Sequence, residues 1–154
     1  MKLSTRGRYA VMAVVDLAQR DARQPVALAD IARSQEISMS YLEQLFARLR
    51  RRGMVKSIRG PGGGYMLAKA AHRIRVADVV LAVEEPDRTT GCSPDSPAGC
   101  CAREAQCSTH DLWEALGNQI YGFLNSVTIA DVCERRVTGT GKPVWSGDRR
   151  AATA

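Results

Sequence analysis

No stretch of this chain approaches the roughly 20 consecutive apolar residues that a membrane-spanning helix needs, so no such helix is expected. The opening Met1-Lys2-Leu3-Ser4-Thr5-Arg6-Gly7-Arg8 lacks the apolar run and small-residue cleavage site of a secretory signal, and the expected location is the cytoplasm. No internal repeat is visible. The run Gly60-Pro61-Gly62-Gly63-Gly64 is followed by no Gly-Lys-Ser/Thr and opens no long helix, which argues against a nucleotide-binding P-loop. The 5 cysteines are an odd number in a chain read as cytoplasmic. A disulfide framework is therefore not expected, and metal or redox chemistry is the better reading of them.

Acidic residues are scarce in one half. Residues 1–75 hold 5 Asp and Glu against 15 Lys and Arg, a net +10, whereas residues 76–154 hold 11 against 7, a net −4. The basic excess of +6 thus belongs to the N-terminal half, the electrostatic footprint of a surface that neutralises phosphates. The 154 residues and 45% hydrophobic content suit one compact domain, or a domain with a dimerisation element.

Apolar periodicity supplies the architecture. Ala10, Ala13/Val14 and Leu17/Ala18 mark one face of a first helix over Thr5 to Arg20, and Leu28, Ile31 and Ala32 a short second helix that stops near Gln35-Glu36. A tight turn then leads to Ser38, which can cap a third helix, with Ser40-x-x-Glu43 as an alternative capping box. Leu42, Leu45, Phe46 and Leu49 follow at i, i+3, i+4 and i+7, and Gly53 ends the helix. With that stripe turned inward, Ser40, Tyr41, Gln44, Arg48 and Arg51 occupy the opposite face, the right chemistry for base edges and phosphates. Met54 to Arg59 and Tyr65 to Ala68 read as two strands joined by the glycine run, a β-hairpin wing. Arg59 at its base suits a narrow minor groove, with Gly60 and Gly62 allowing close backbone approach.

Val76, Val79, Val80 and Val83 form a fourth helical stripe. Leu112, Leu116, Ile120, Phe123, Leu124 and Val127 trace a longer one, too extended to bury itself in so small a domain and hence expected to dimerise. Thr128-x-x-Asp131 can cap a last short helix that runs past Cys133. The expected fold is α+β, mostly α. A winged helix-turn-helix domain over 1–84 is followed by a ligand loop over 85–110, the dimerisation and terminal helices over 111–136, and an unstructured tail over 137–154.

Between the fourth and fifth stripes lies Cys92-x8-Cys101-x5-Cys107-x2-His110, in a loop that also holds Gly91, Pro94, Pro97 and Gly99. Such a loop has no periodic apolar face to bury thiols, so these residues are read as ligands of a soft metal. From spacing alone, a Cys3His zinc site and an iron–sulfur cluster stand level.

Five segments, KLSTRGRYAV, ISMSYLEQLFARLRRRGMV, IRGPGGGYML, CSTHDLWEAL and GFLNSVTIADV, together resemble the Rrf-type winged-helix regulators over roughly residues 1–135. The resemblance implies a homodimer that binds pseudo-palindromic double-stranded promoter DNA, carries one [2Fe-2S] cluster per subunit on three Cys and one His, and represses cluster-assembly genes when the cluster is present. Iron–sulfur assembly or carrier proteins would then be partners. Cys101, Cys107 and His110 keep the C-x5-C-x2-H spacing of the cluster-binding members. The first interval is longer here, so Cys92 is carried over as first ligand, and Cys100 is an extra thiol able to replace Cys101. Base contacts are assigned to Ser40, Tyr41 and Gln44 and phosphate contacts to Arg6, Arg8, Arg50 and Arg51, with Ser38 and Arg48 also counted among the DNA-binding residues. Glu43 can accept from cytosine N4 but repels nearby phosphates. Alternatives are a nitric-oxide or iron sensor of the same family with a [4Fe-4S] cluster, a redox electron carrier, and a DNA-binding protein with structural zinc. None of these readings makes the chain an enzyme.

Overall fold

In a computed structural model, the structure describes residues 4–20, 22–84 and 108–137. Six α-helices run in order among the described residues: α1 Thr5–Gln19, α2 Leu28–Gln35, α3 Met39–Arg51, α4 Val76–Val83, α5 His110–Ser126 and α6 Ile129–Cys133. Two antiparallel strands, β1 Val55–Ile58 and β2 Gly64–Leu67, follow α3, and a short 3-10 turn over Ala71–Arg73 leads into α4.

The third helix forms where its apolar stripe places it. Leu42, Leu45, Phe46 and Leu49 are all buried. Its N-cap is Ser38 in extended conformation, so the helix begins at Met39 and the Ser40-x-x-Glu43 pair stands inside the first turn, past the position where a capping box acts. Its end is a Schellman motif: Gly53 takes φ +69°, its N–H donates to Arg50 O at 3.0 Å, and Met54 N–H donates to Leu49 O at 3.0 Å. A left-handed residue here is natural for glycine and costly for others.

The core gathers one face each from α1, α2, α3 and α4. Ala10, Ala13 and Val14 of α1, Ile31 of α2, Phe46 of α3 and Val79 and Val83 of α4 are completely buried. Phe46 meets the Tyr65 ring edge-on at 4.8 Å between centroids, which fastens the wing to α3. Tyr65 also exchanges both backbone hydrogen bonds with Val26, at 2.9 and 2.8 Å. The residues between α1 and α2, read from sequence as a plain break, therefore lend the hairpin a third strand-like edge.

After α5 the chain re-enters the core it left at Val83. Val76 N–H donates to Val127 O and Ile129 N–H to Ile74 O, both at 2.9 Å, and Val127 and Ile129 are buried beside α1. Thr128 and Asp131 cap α6 reciprocally, Asp131 accepting from Thr128 Oγ1 at 2.6 Å and Asp131 N–H donating to Thr128 Oγ1 at 3.1 Å. Residues 127–133 thus pack onto α1 and the segment that leads into α4. Val83 at the end of α4 and Val127 after α5 lie in one core. The expected tail beyond 137 lies outside the described residues.

Candidate nucleic-acid interface and metal-ligand loop

Helix α2, the turn and α3 make the helix-turn-helix. Glu36 takes φ 53° at the end of α2, Ile37 N–H donates to Ala32 O at 3.1 Å, and buried Ile37 plugs the turn, which aims α3 away from α2. Ser38, Ser40, Glu43, Gln44 and Arg51 are exposed, as the inward stripe requires. The Ser38 hydroxyl makes no capping bond, which leaves it to other partners. Tyr41 is half-buried on α3, its ring edge-on to Tyr9 at 6.0 Å between centroids.

Arg48 is placed differently from its neighbours. It is half-buried, and its Nη1 donates to the Val83 carbonyl of α4 at 3.0 Å. The last carbonyls of a helix lack partners within it and carry the negative end of its dipole, and α4 has no basic residue in its own last turn. A guanidinium from α3 supplies that cation. Arg50, by contrast, is exposed and leans on β1 through Ser57 Oγ at 3.5 Å.

The wing tip is a β-turn with Pro61 and Gly62 at its centre: Gly63 N–H donates to Gly60 O at 2.9 Å, and Gly62 takes φ +72°, the geometry of a type II turn. A Cβ on Gly63 would lie 2.5 Å from Ile58 O, so only glycine fits there. Arg59, Gly60 and Gly62 are exposed at this tip.

At the start of α1, Ser4 caps by accepting from Gly7 N–H at 3.1 Å, with Arg6 half-buried and Arg8 exposed in the first turn. Ser4 also donates to Glu84 Oε1, from its hydroxyl at 2.8 Å and its N–H at 3.3 Å. Gly7 permits that approach, because a Cβ there would meet Glu84 Oε1 at 2.8 Å. Behind the surface, Asp16 of α1 accepts from Arg20 Nε at 2.6 Å, from Gln35 Nε2 at 2.9 Å and from the Ser34 hydroxyl. Burial pushes this carboxyl up, but the bonds from Arg20, Ser34 and Gln35 and the Arg20 charge outweigh it and hold Asp16 below the usual carboxylate range. Periodicity gave no sign of the Arg48, Glu84 and Asp16 contacts; a polar residue within an apolar stripe, as Asp16 is, was the one available signal.

Of the ligand run, Cys92, Cys100, Cys101 and Cys107 lie outside the described residues, and His110 is described only as the first residue of α5. No cluster of His, Cys, Asp and Glu suited to a metal occurs among the described residues. Cys133 is half-buried with Sγ 3.9 Å from Val15 O, and burial followed by the nearby Glu134 charge raises its pKa. It is an apolar packing residue, as read from sequence. His72 is exposed beside the 3-10 turn.

A recognition helix behind a helix-turn-helix, flanked by a two-stranded wing on a mostly helical frame, defines a winged-helix DNA-binding regulator. Residues 3–135 match the Rrf2 family model, described as an iron-dependent transcriptional regulator, and the chain belongs to that family. It is 49% identical over 132 residues to the HTH-type transcriptional regulator IscR of Serratia proteamaculans, covering 86% of this chain and 79% of that one. Among solved structures it resembles T. potens IscR, at a TM-score of 0.71 and 36% identity over 92% of this chain and 94% of the other. It also resembles CymR, the global cysteine regulator of B. subtilis, at 0.71 and 31% over 88% and 98%. The protein is an iron-dependent DNA-binding transcriptional regulator and not an enzyme.

Proposed function

We propose that this regulator senses iron–sulfur status through a [2Fe-2S] cluster, one per subunit, held by Cys92, Cys101, Cys107 and His110, with Cys100 able to replace Cys101. The observation that carries the reading is the C-x8-C-x5-C-x2-H run in a chain of an iron-dependent family. The donor set fits the group: three thiolates suit iron–sulfur chemistry, and one neutral imidazole makes the set less anionic and open to loss on protonation. The cluster when bound supplies a redox-active, releasable centre.

The chain's own residues then do the reading of DNA. Gln44 is suited to a bidentate pair with adenine, Ser38, Ser40 and Tyr41 to single base-edge bonds, and Glu43 to cytosine N4. Arg6, Arg8, Arg50 and Arg51 hold phosphates, while Arg59 with Gly60 and Gly62 enters a minor groove. The regulator works in the cytoplasm as a homodimer on a pseudo-palindromic operator, takes its cluster from assembly or carrier proteins, and represses cluster-assembly genes in the cluster-bound form. Helix α5 supports the dimer: Leu112, Leu116 and Phe123 of its stripe are 60%, 41% and 38% exposed, a patch of apolar surface that a lone subunit leaves in water.

The test is anaerobic purification with a visible spectrum and iron, sulfide and zinc analysis. A coloured protein with iron and sulfide in equal amounts is expected, and Cys92→Ala, Cys101→Ala, Cys107→Ala and His110→Ala should each lose it while Cys133→Ala does not. Loss with Cys100→Ala and retention with Cys101→Ala would shift the ligand assignment by one. A colourless zinc protein would refute the sensing reading.

A further inference from the structure

We infer that Arg48 is a positioning residue that ties the recognition helix to the root of the cysteine loop, and does not serve as a phosphate contact. The inference rests on the sensing role proposed for that loop. Its physical basis lies entirely in residues on either side of the helix packing. Val83 and Glu84 are the last described residues before the loop, and each is bound to an element that faces DNA. Val83 O accepts from Arg48 Nη1 of α3 at 3.0 Å, and Glu84 Oε1 accepts from Ser4 Oγ at 2.8 Å, at the N-cap of α1. Gly7 admits Glu84 against that first turn of α1.

These bonds couple the end of α4 to two other elements, α3 and α1. A hydrogen bond at 3.0 Å weakens steeply when its partner moves or turns, so a shift at the end of α4 changes the restraint on α3 and on α1 together. The Val83 carbonyl has no acceptor role inside its own helix, and Arg48 meets it at the negative end of α4. The guanidinium is therefore engaged on the protein side, on the flank of α3, while Gln44 and Arg51 carry the exposed face. A ligand held between Glu84 and α5 bears on α4's last turn through the chain that follows Glu84, and on α5 through His110. Arg48 transmits that change to the helix that reads bases, which is a coupling between two sites through a named contact.

The experiment compares wild type with Arg48→Met, which keeps the apolar stem and removes every donor, and Arg48→Lys, which can still donate to a carbonyl. Each is titrated anaerobically onto the protein's own promoter, with and without cluster, across a salt series, with cluster content checked by its visible spectrum. Wild type should bind about 5- to 150-fold differently in the two states. Arg48→Met should shrink that ratio to within about twofold, with the cluster-free protein keeping its wild-type log affinity–log salt slope, since no phosphate contact is lost. Arg48→Lys should restore part of the ratio. A slope lowered by about 0.9 with equal weakening of both states would make Arg48 a phosphate contact and overturn the inference. A retained ratio in Arg48→Met would overturn it as well. No ratio in wild type would refute the sensing reading itself, and the coupling with it. Amide exchange in wild type serves independently of how the variants fold: protection at Val83, Glu84 and α3 should differ between the two states, and identical protection would rule the coupling out.

Discussion

Asp16→Asn should destabilise the helix-turn-helix more than any other single-atom exchange near it. Asp16 is 8% exposed and receives three side-chain donors, from Arg20, Ser34 and Gln35, the last two on α2. Hydrogen bonds to a charged group contribute about 1.5–3 kcal/mol each, and they are not additive when they share one acceptor. An asparagine keeps one acceptor oxygen but points an N–H where donors converge, so the expected loss is about 2–4 kcal/mol near pH 7. The Arg20 part of this is tempered by solvent, as its side chain is 34% exposed. Urea unfolding at fixed protein concentration measures it, with Asp30→Asn as a control, because the Asp30–Arg33 pair is exposed on both sides and should change stability by under about 0.5 kcal/mol. The sign with pH follows from the lowered carboxyl. Its stabilisation is present above the unfolded value, about 3.9, and is lost as pH falls through the lower folded value, so the gap between wild type and variant should close only in acid below about pH 4. A gap under about 0.5 kcal/mol at neutral pH, or one that persists unchanged into acid, would refute the network as the anchor between α1 and α2.

Arg59→Ala should lose affinity chiefly for operators with A·T-rich flanks, whereas Arg51→Ala should weaken all sequences alike and lower the salt slope by about 1; equal losses on every sequence for both would refute the wing assignment. Glu43→Ala should raise the affinity of the cluster-free protein for its own operator by removing a carboxylate near phosphates, and a loss in both states would show instead that Glu43 makes a favourable base contact. Leu116→Glu, on the exposed stripe of α5, should convert a dimer to monomers in sedimentation at micromolar concentration, and an unchanged mass would move the dimer interface elsewhere.

The helices were legible because each carries its own signal. Leu42, Leu45, Phe46 and Leu49 repeat with the period of the helix they form, Gly53 marks its end, and the glycines between β1 and β2 announce a tight wing. The order of the ligand residues Cys92, Cys101, Cys107 and His110 is likewise a property of the chain alone. Periodicity says which side of a helix turns inward, but not which neighbour it meets there. It therefore put Arg48 with the DNA-facing residues, although the flank of α3 lies against the end of α4 and its guanidinium meets a carbonyl 35 positions away. Ser4 and Glu84 are 80 positions apart, and neither has a local pattern that points to the other. The return of Val127 and Ile129 to the core was hidden for the same reason, since a short apolar pair after a long helix suits either a partner subunit or the chain's own interior. Local spacing determined the elements and the candidate ligands. Packing between distant segments alone decided which polar groups stay exposed and which are held against the protein, because that choice depends on contacts that exist only once the elements have met.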